Sequence, residues 1–225
     1  MSRSFTHTVY QFDELSDSAK EKARDWYRAL VFDDSSDWDF VFDDAVRFGS
    51  LLGIDIDVRS YQGRSGKWYN EPKIYFSGFS SQGDGACFEG SYSYTKGAVA
   101  KIKSETGFGF KCSDGSIGKG DEELIAIAQA LQDVQRRHFY RLRATVKHSG
   151  HYSHKYCTSI DVEDCENPYK DLRGDDKVVI ELLRDFMQWI YDCLEEEYWY
   201  RSSDEAVEEA IRANEYEFEE DGSRA

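Results

Sequence analysis

The chain has 225 residues, 40% hydrophobic and 15% aromatic, with 44 Asp/Glu against 28 Lys/Arg for a net charge of −16. This is enough apolar material for a substantial core, and the apolar runs are far shorter than the ~20 residues a membrane helix needs. The acidic balance argues against duplex-DNA binding, whose affinity rests mainly on Lys and Arg neutralising phosphate.

The charge is unevenly spread. Residues 1–60 carry a net −6, residues 61–120 a net +3, residues 121–160 a net +2, and residues 161–225 a net −15. A mildly basic middle therefore lies between acidic ends. The N-terminal MSRSFTHTVYQF lacks the apolar segment of a secretory signal, which predicts a soluble, cytosolic protein. Cys87, Cys112, Cys157, Cys165 and Cys193 are scattered, with no CxxC, and read as small buried hydrophobes of a reducing compartment.

In chain order, FTHTVYQF over residues 5–12 predicts a short strand. Ser16 then N-caps a helix whose Leu15, Ala19, Ala23, Trp26 and Leu30 share one face. Ser36 with Asp39 resembles a capping box for a second helix that ends at Gly53. Ile54, Ile56 and Val58 alternate with charged residues as a half-buried strand does, and QGRSGKWYNEP reads as a polar turn. KIYFSGF and ACFEGSYSYT predict two strands joined by SSQGD, a link that suits a hairpin. Residues 104–120 read as loop or irregular strand. They hold no P-loop, because Gly118-Lys119 is followed by Gly120 and has no glycine at the required upstream spacing.

From Asp121, Leu124, Ile127, Ala128, Leu131 and Val134 form the clearest amphipathic helical stripe. HFYRLRATVKHSGHYSHKYCTSIDVE predicts a hairpin about Ser149-Gly150, followed by a long helix from Asp176 to about Trp199. Ser202 and Glu205 predict the capping box of a last helix through Ala213, before a tail that adds an edge strand and frays over 219–225. The expected class is α+β: one domain over residues 1–225, with a mainly antiparallel sheet of hairpin-connected strands flanked by about five helices.

Three constellations bear on function. If Ser149-Gly150 is a two-residue turn, His148 and His151 face each other, and two imidazoles could contribute to a metal site. His154 would then lie on the opposite face, and the competing reading is a solvated hairpin tip. A Cys–His pair using Cys87 or Cys157 is a further combination, without any spacing that marks it. The acidic helices over residues 13–44 and 176–221 could contact a basic partner or imitate a phosphate backbone, against the alternative of surface acids that serve solubility. The third constellation is the glycine-backed turn with Ser81, Gln82 and Asp84, followed by Cys87 and Glu89 and neighboured by Arg64, Trp68 and Tyr69. Such a set could hold a nucleotide-like anion by stacking and by amide N–H groups, or it could be a hairpin whose glycines serve geometry alone. No catalytic residue and no cofactor is expected.

VYQFDELSDSAKEKARDWY, FSGFSSQGDGACFEG and the closing WIYDCLEEEYWYRSSDEAVEEAIRANEYEFEEDG resemble a family of small proteins of tailed phages and prophages, often labelled as antitoxins of a toxin–antitoxin stability system. The resemblance implies an accessory protein acting in the cytoplasm of a bacterial host. It favours binding and neutralising a protein of a defence or toxin system over catalysis. The alternative is a sponge or hydrolase for a nucleotide-type defence signal.

Overall fold

The computed structural model describes residues 7–31, 38–63, 65–105 and 120–225. In chain order the elements are β1 (Tyr10–Gln11), α1 (Asp17–Val31), α2 (Asp39–Leu52), β2 (Ile54–Ile56), β3 (Val58–Gln62), β4 (Trp68–Pro72), β5 (Ile74–Ser77), β6 (Gly85–Phe88) and β7 (Gly90–Ser93). They continue with α3 (Ala98–Glu105), α4 (Gly120–Arg137), β8 (Leu142–His148), β9 (Thr158–Asp164), α5 (Asp175–Ser202), α6 (Asp204–Ala213) and β10 (Glu217–Phe218). The class is α+β, with every strand pair antiparallel. No helix among the described residues is long and apolar enough to cross a membrane.

Where the sequence reads as one domain, the chain divides into two compact units, residues Met1–Asp39 with Glu195–Ala225, and residues Phe40–Leu194. The physical reason is that the chain ends close on each other. β1 pairs with β10, and Phe12, Leu15, Ala19, Ala23, Val207, Ile211 and Phe218 form a core that joins α1 and α6. Trp26 packs edge-on against Tyr216 and Phe218 at that core. Ser203, one residue beyond the expected Ser202, caps α6 by accepting from the Ala206 N–H. Residues 219–225 contact the same unit: Lys22 holds Asp221 at 2.7 Å, and the Arg224 guanidinium lies over Trp26 and Tyr216.

The larger unit is built on a four-stranded sheet in the order β2-β7-β8-β9. Leu142, Ala144 and Val146 of β8 face the interior while Arg143, Thr145 and Lys147 face solvent, as expected of a sheet covered on one side. The predicted stripe of α4 is buried throughout. Phe48 of α2 meets Trp189 of α5 edge-on, and Phe88 of β6 does the same with Phe186 of α5, so these two rings are enclosed.

Two hairpins, β3-β4 and β5-β6, leave this sheet through an arrangement absent from the sequence expectation. The chain segments 54–62, 68–77 and 85–93 each break at one residue, Asp57, Lys73 and Glu89, and change partners there. The three breaks are linked in a closed ring: the Asp57 N–H donates to Glu89 O, the Glu89 N–H to Lys73 O, and the Lys73 N–H to Asp57 O. Every backbone polar group freed by the breaks is thereby satisfied. The Lys73 ammonium closes the ring at side-chain level, 2.7 Å from Glu89 and 3.5 Å from Asp57. WYNEP, expected within a turn, is therefore strand β4.

Candidate functional site

The β5-β6 hairpin is the place to test the ligand reading, because it carries the glycine-backed turn. Register pairs Ser77 with Gly85 and Tyr75 with Cys87. Within the turn, the Asp84 carboxylate accepts from the N–H groups of Ser80 (2.8 Å) and Ser81 (2.6 Å). The amides that would cradle an anion are thus occupied by the chain's own carboxylate, whose charge also opposes a phosphate. Gln82 is exposed at the tip.

The other members of the expected set lie apart. Cys87 is fully buried, and burial pushes its thiol up to about 12, so it carries no thiolate at neutral pH. Glu89 sits in the three-strand junction, paired with Lys73. Trp68 and Tyr69 are on β4, at the far end of the extended segment 68–77 from the turn. Tyr69 stacks on Tyr61 with centroids 5.6 Å apart and has the Lys67 ammonium over its ring. Arg64 lies outside the described residues. The seven described residues of the set therefore do not make one rim.

The histidines do meet this hairpin, in a way the sequence does not suggest. The β8-β9 connection spans residues 149–157, with His148 opposite Thr158, so His148 and His151 do not face each other across a two-residue turn. The cause is the short 3-10 turn Lys155–Cys157, capped by His154 Nδ1 accepting from the Tyr156 N–H, which lengthens the link. His148 stacks on Tyr75 with centroids 4.7 Å apart, and its Nε2 donates to Tyr152 O at 3.0 Å. His154 lies flat against the backbone of Gly85. A Cβ at that position would stand 2.9 Å from the imidazole and 3.2 Å from His154 Cα, so only glycine permits the approach. His151 is exposed beside Tyr152. Each imidazole near the hairpin packs against or bonds to the fold, and no group of three metal-binding side chains is present among the described residues.

A second ionisable cluster escaped the sequence reading. At the C-terminal end of α4, His138 Nε2 lies 2.8 Å from the Asp175 carboxylate, which Arg137 also grips through two nitrogens. The Lys170 ammonium is 3.5 Å from His138 Nδ1 and 2.9 Å from the buried Asp164. Arg141 pairs with Asp164 and Glu166. The cations at the end of α4 and the carboxylate at the start of α5 each complement a helix dipole, and that placement was the available sequence signal. The two residues that follow, Phe139 (φ 53°) and Tyr140 (φ 63°), are both left-handed, a strained connection fixed by these ion pairs and by Gln135.

Arg137, and then His138, hold the Asp175 carboxyl down at about 2 against an ordinary value of 3.8. A depressed carboxylate stabilises the fold above its unfolded value and loses that contribution as pH falls through the folded one. Allowing for solvent screening, the contribution is about 1–2 kcal/mol at neutral pH. Asp175→Asn is expected to melt lower than the parent at pH 7, with the gap narrowing below pH ~4 and closing near pH 2. A gap that stayed constant over that range in thermal melts would contradict the assignment.

These groups bind one another. No curated protein and no solved structure matches the chain. A domain of unknown function, DUF8835, matches residues 38–204, a span that takes in the sheet, both hairpins and the ionisable cluster. By that match over most of its length, the chain belongs to the DUF8835 family.

Proposed function

We propose that the protein is a non-enzymatic binder that neutralises a basic protein of a bacterial host, defence or toxin system, in the manner of a phage-encoded inhibitor or antitoxin. The observation that carries this reading is the partition of charge between the two units. The unit formed by the chain ends has 21 Asp/Glu against 8 Lys/Arg, a net −13 in 70 residues, whereas the sheet-bearing unit has 23 against 20, a net −3.

Ion pairing sharpens the asymmetry. Lys22, Arg24, Arg28, Arg201 and Arg212 of the terminal unit each contact an acidic neighbour in that unit. Glu205 and Glu209 of α6, with Glu196, Glu215 and Glu220, are exposed and have no ion-pair partner among the described residues. An unneutralised acidic surface of this kind steers a basic partner and raises its association rate, with a strong dependence on salt. The setting inside a bacterium rests on the family resemblance of the quoted motifs. The nucleotide reading has less support, since the turn amides are taken by Asp84 and the aromatic residues stand elsewhere.

Glu205→Lys combined with Glu209→Lys tests the reading, because both side chains are exposed and the change should leave the fold intact. Tagged protein should capture a basic bacterial protein at low salt, and the doubly reversed variant should capture at least tenfold less of it with an unchanged melting temperature. Equal capture by parent and variant would refute the use of this surface.

A further inference from the structure

We infer that the outer edge of β3 is a self-complementary pairing site, on which β3 of a second copy adds antiparallel about a two-fold axis centred on Ser60. The inference is independent of the terminal unit and of its proposed partner.

The geometry of the β3-β4 hairpin decides which backbone groups are free. Gly63 N–H donates to Lys67 O, and Lys73 N–H donates to Asp57 O. With the register Arg59↔Glu71 and Tyr61↔Tyr69, the alternation of antiparallel pairs makes 59/71 and 61/69 the hydrogen-bonded pairs. The N–H and C=O groups of Val58, Ser60 and Gln62 then point away from β4. The same parity leaves Trp68, Asn70 and Pro72 pointing outward on β4, where Pro72 supplies no N–H and so blunts that edge. At β2 the outer edge is approached by α2: a side chain at Gly49 would reach within 3.3 Å of Ile54 O. What stays open is the run from Val58 to Gln62, each residue exposed and none paired on the outer side among the described residues.

This edge lacks the devices that keep edge strands apart. It contains no proline, lysine or acid, in a protein of net −16. Its one charge, Arg59, is held by Glu71, which also accepts from Tyr61 OH. The hairpin is preorganised by side-chain pairs, since Ser60 Oγ donates to Asn70 Oδ1 at 2.6 Å and Tyr61 stacks on Tyr69, although both of its faces are wet. Antiparallel self-pairing centred on Ser60 sets Arg59 opposite the second copy's Tyr61 and Val58 opposite its Gln62, so like charges do not meet. Three residues per strand exchange hydrogen bonds, which suits a weak dimer with a dissociation constant on the order of micromolar, given the entropy cost of association.

The test is the mass of the full chain by light scattering and sedimentation from roughly 1 to 300 micromolar, concentrations bracketing that estimate. The parent should pass from 26.0 kDa towards twice that mass. Ser60→Pro removes the outward N–H together with the Oγ bond to Asn70, and Val58→Lys places a charge on the edge; each should weaken dimerisation at least tenfold, and Val58→Lys should keep the parent's melting temperature. If Ser60→Pro fails to fold, Val58→Lys alone decides. A chain that is monomeric at every concentration would overturn the inference, including the case where a strand of another protein uses the edge. So would a dimer of unchanged strength in the folded variants.

Discussion

Gly90→Ala is expected to destabilise the protein by about 3 kcal/mol or more, lowering its melting temperature by roughly 10 °C. A Cβ at this position would stand 2.1 Å from Asp55 O and 3.0 Å from the Cα of Ile56. Both obstacles are backbone atoms of the facing strand, so no side chain can rotate away to make room. Gly90 is also the first residue of β7 after the Glu89 break, where the ring of N–H donations from Asp57, Lys73 and Glu89 holds three strands together. Moving β7 outward to accept a methyl group would stretch two of those bonds. Denaturant titration measures the effect; a loss below about 1 kcal/mol would show that the junction yields more than its geometry implies.

Gln135→Leu should have a comparable effect, about 3 kcal/mol, for a different reason. Gln135 is fully buried on α4, and its amide acts as a surrogate strand: Oε1 accepts from the Leu142 N–H at 3.1 Å while Nε2 donates to Leu142 O at 2.7 Å. Nε2 also lies 3.2 Å from the buried Tyr92 hydroxyl. Leucine preserves volume but orphans a buried N–H and a buried carbonyl, each costing about 1–3 kcal/mol. Gln135→Glu keeps the acceptor for the Leu142 N–H but buries a carboxylate whose second oxygen faces the Leu142 carbonyl, so at neutral pH it should cost at least as much overall as Gln135→Leu. Hydrogen exchange of the Leu142 amide gives a local readout, with faster exchange expected in Gln135→Leu than in Gln135→Glu.

What the sequence reveals of this molecule follows burial. The stripe Leu124, Ile127, Ala128, Leu131 and Val134 is legible because its periodicity records the burial of one helix face. The β5-β6 hairpin is legible for the same reason, with turn residues at a suitable spacing. β4 is not, because a hairpin exposed on both faces carries no alternation, and WYNEP therefore looks like loop. The pairing of β1 with β10 joins residues about two hundred positions apart and leaves no local trace. The histidine expectation failed on turn chemistry: Ser149-Gly150 has the look of a two-residue turn, but the 3-10 turn at Lys155–Cys157 sets the register instead. In the β5-β6 turn the residue types are visible in the sequence, but the donation of Ser80 and Ser81 amides to Asp84 depends on a backbone path that composition does not specify.

The charge partition was half visible, as acidic ends around a basic middle. The fold gathers both ends into one unit, which turns a sequence bias into a concentrated surface. The most direct test of the proposed use of that surface is the salt dependence of binding between the full chain and a protein recovered with it from bacterial lysate, measured by titration calorimetry from 50 to 500 mM salt. The account predicts an association constant that falls by at least tenfold across the range, with a much shallower fall for the Glu205→Lys, Glu209→Lys variant. An affinity independent of salt, or a captured partner that is itself acidic, would contradict it.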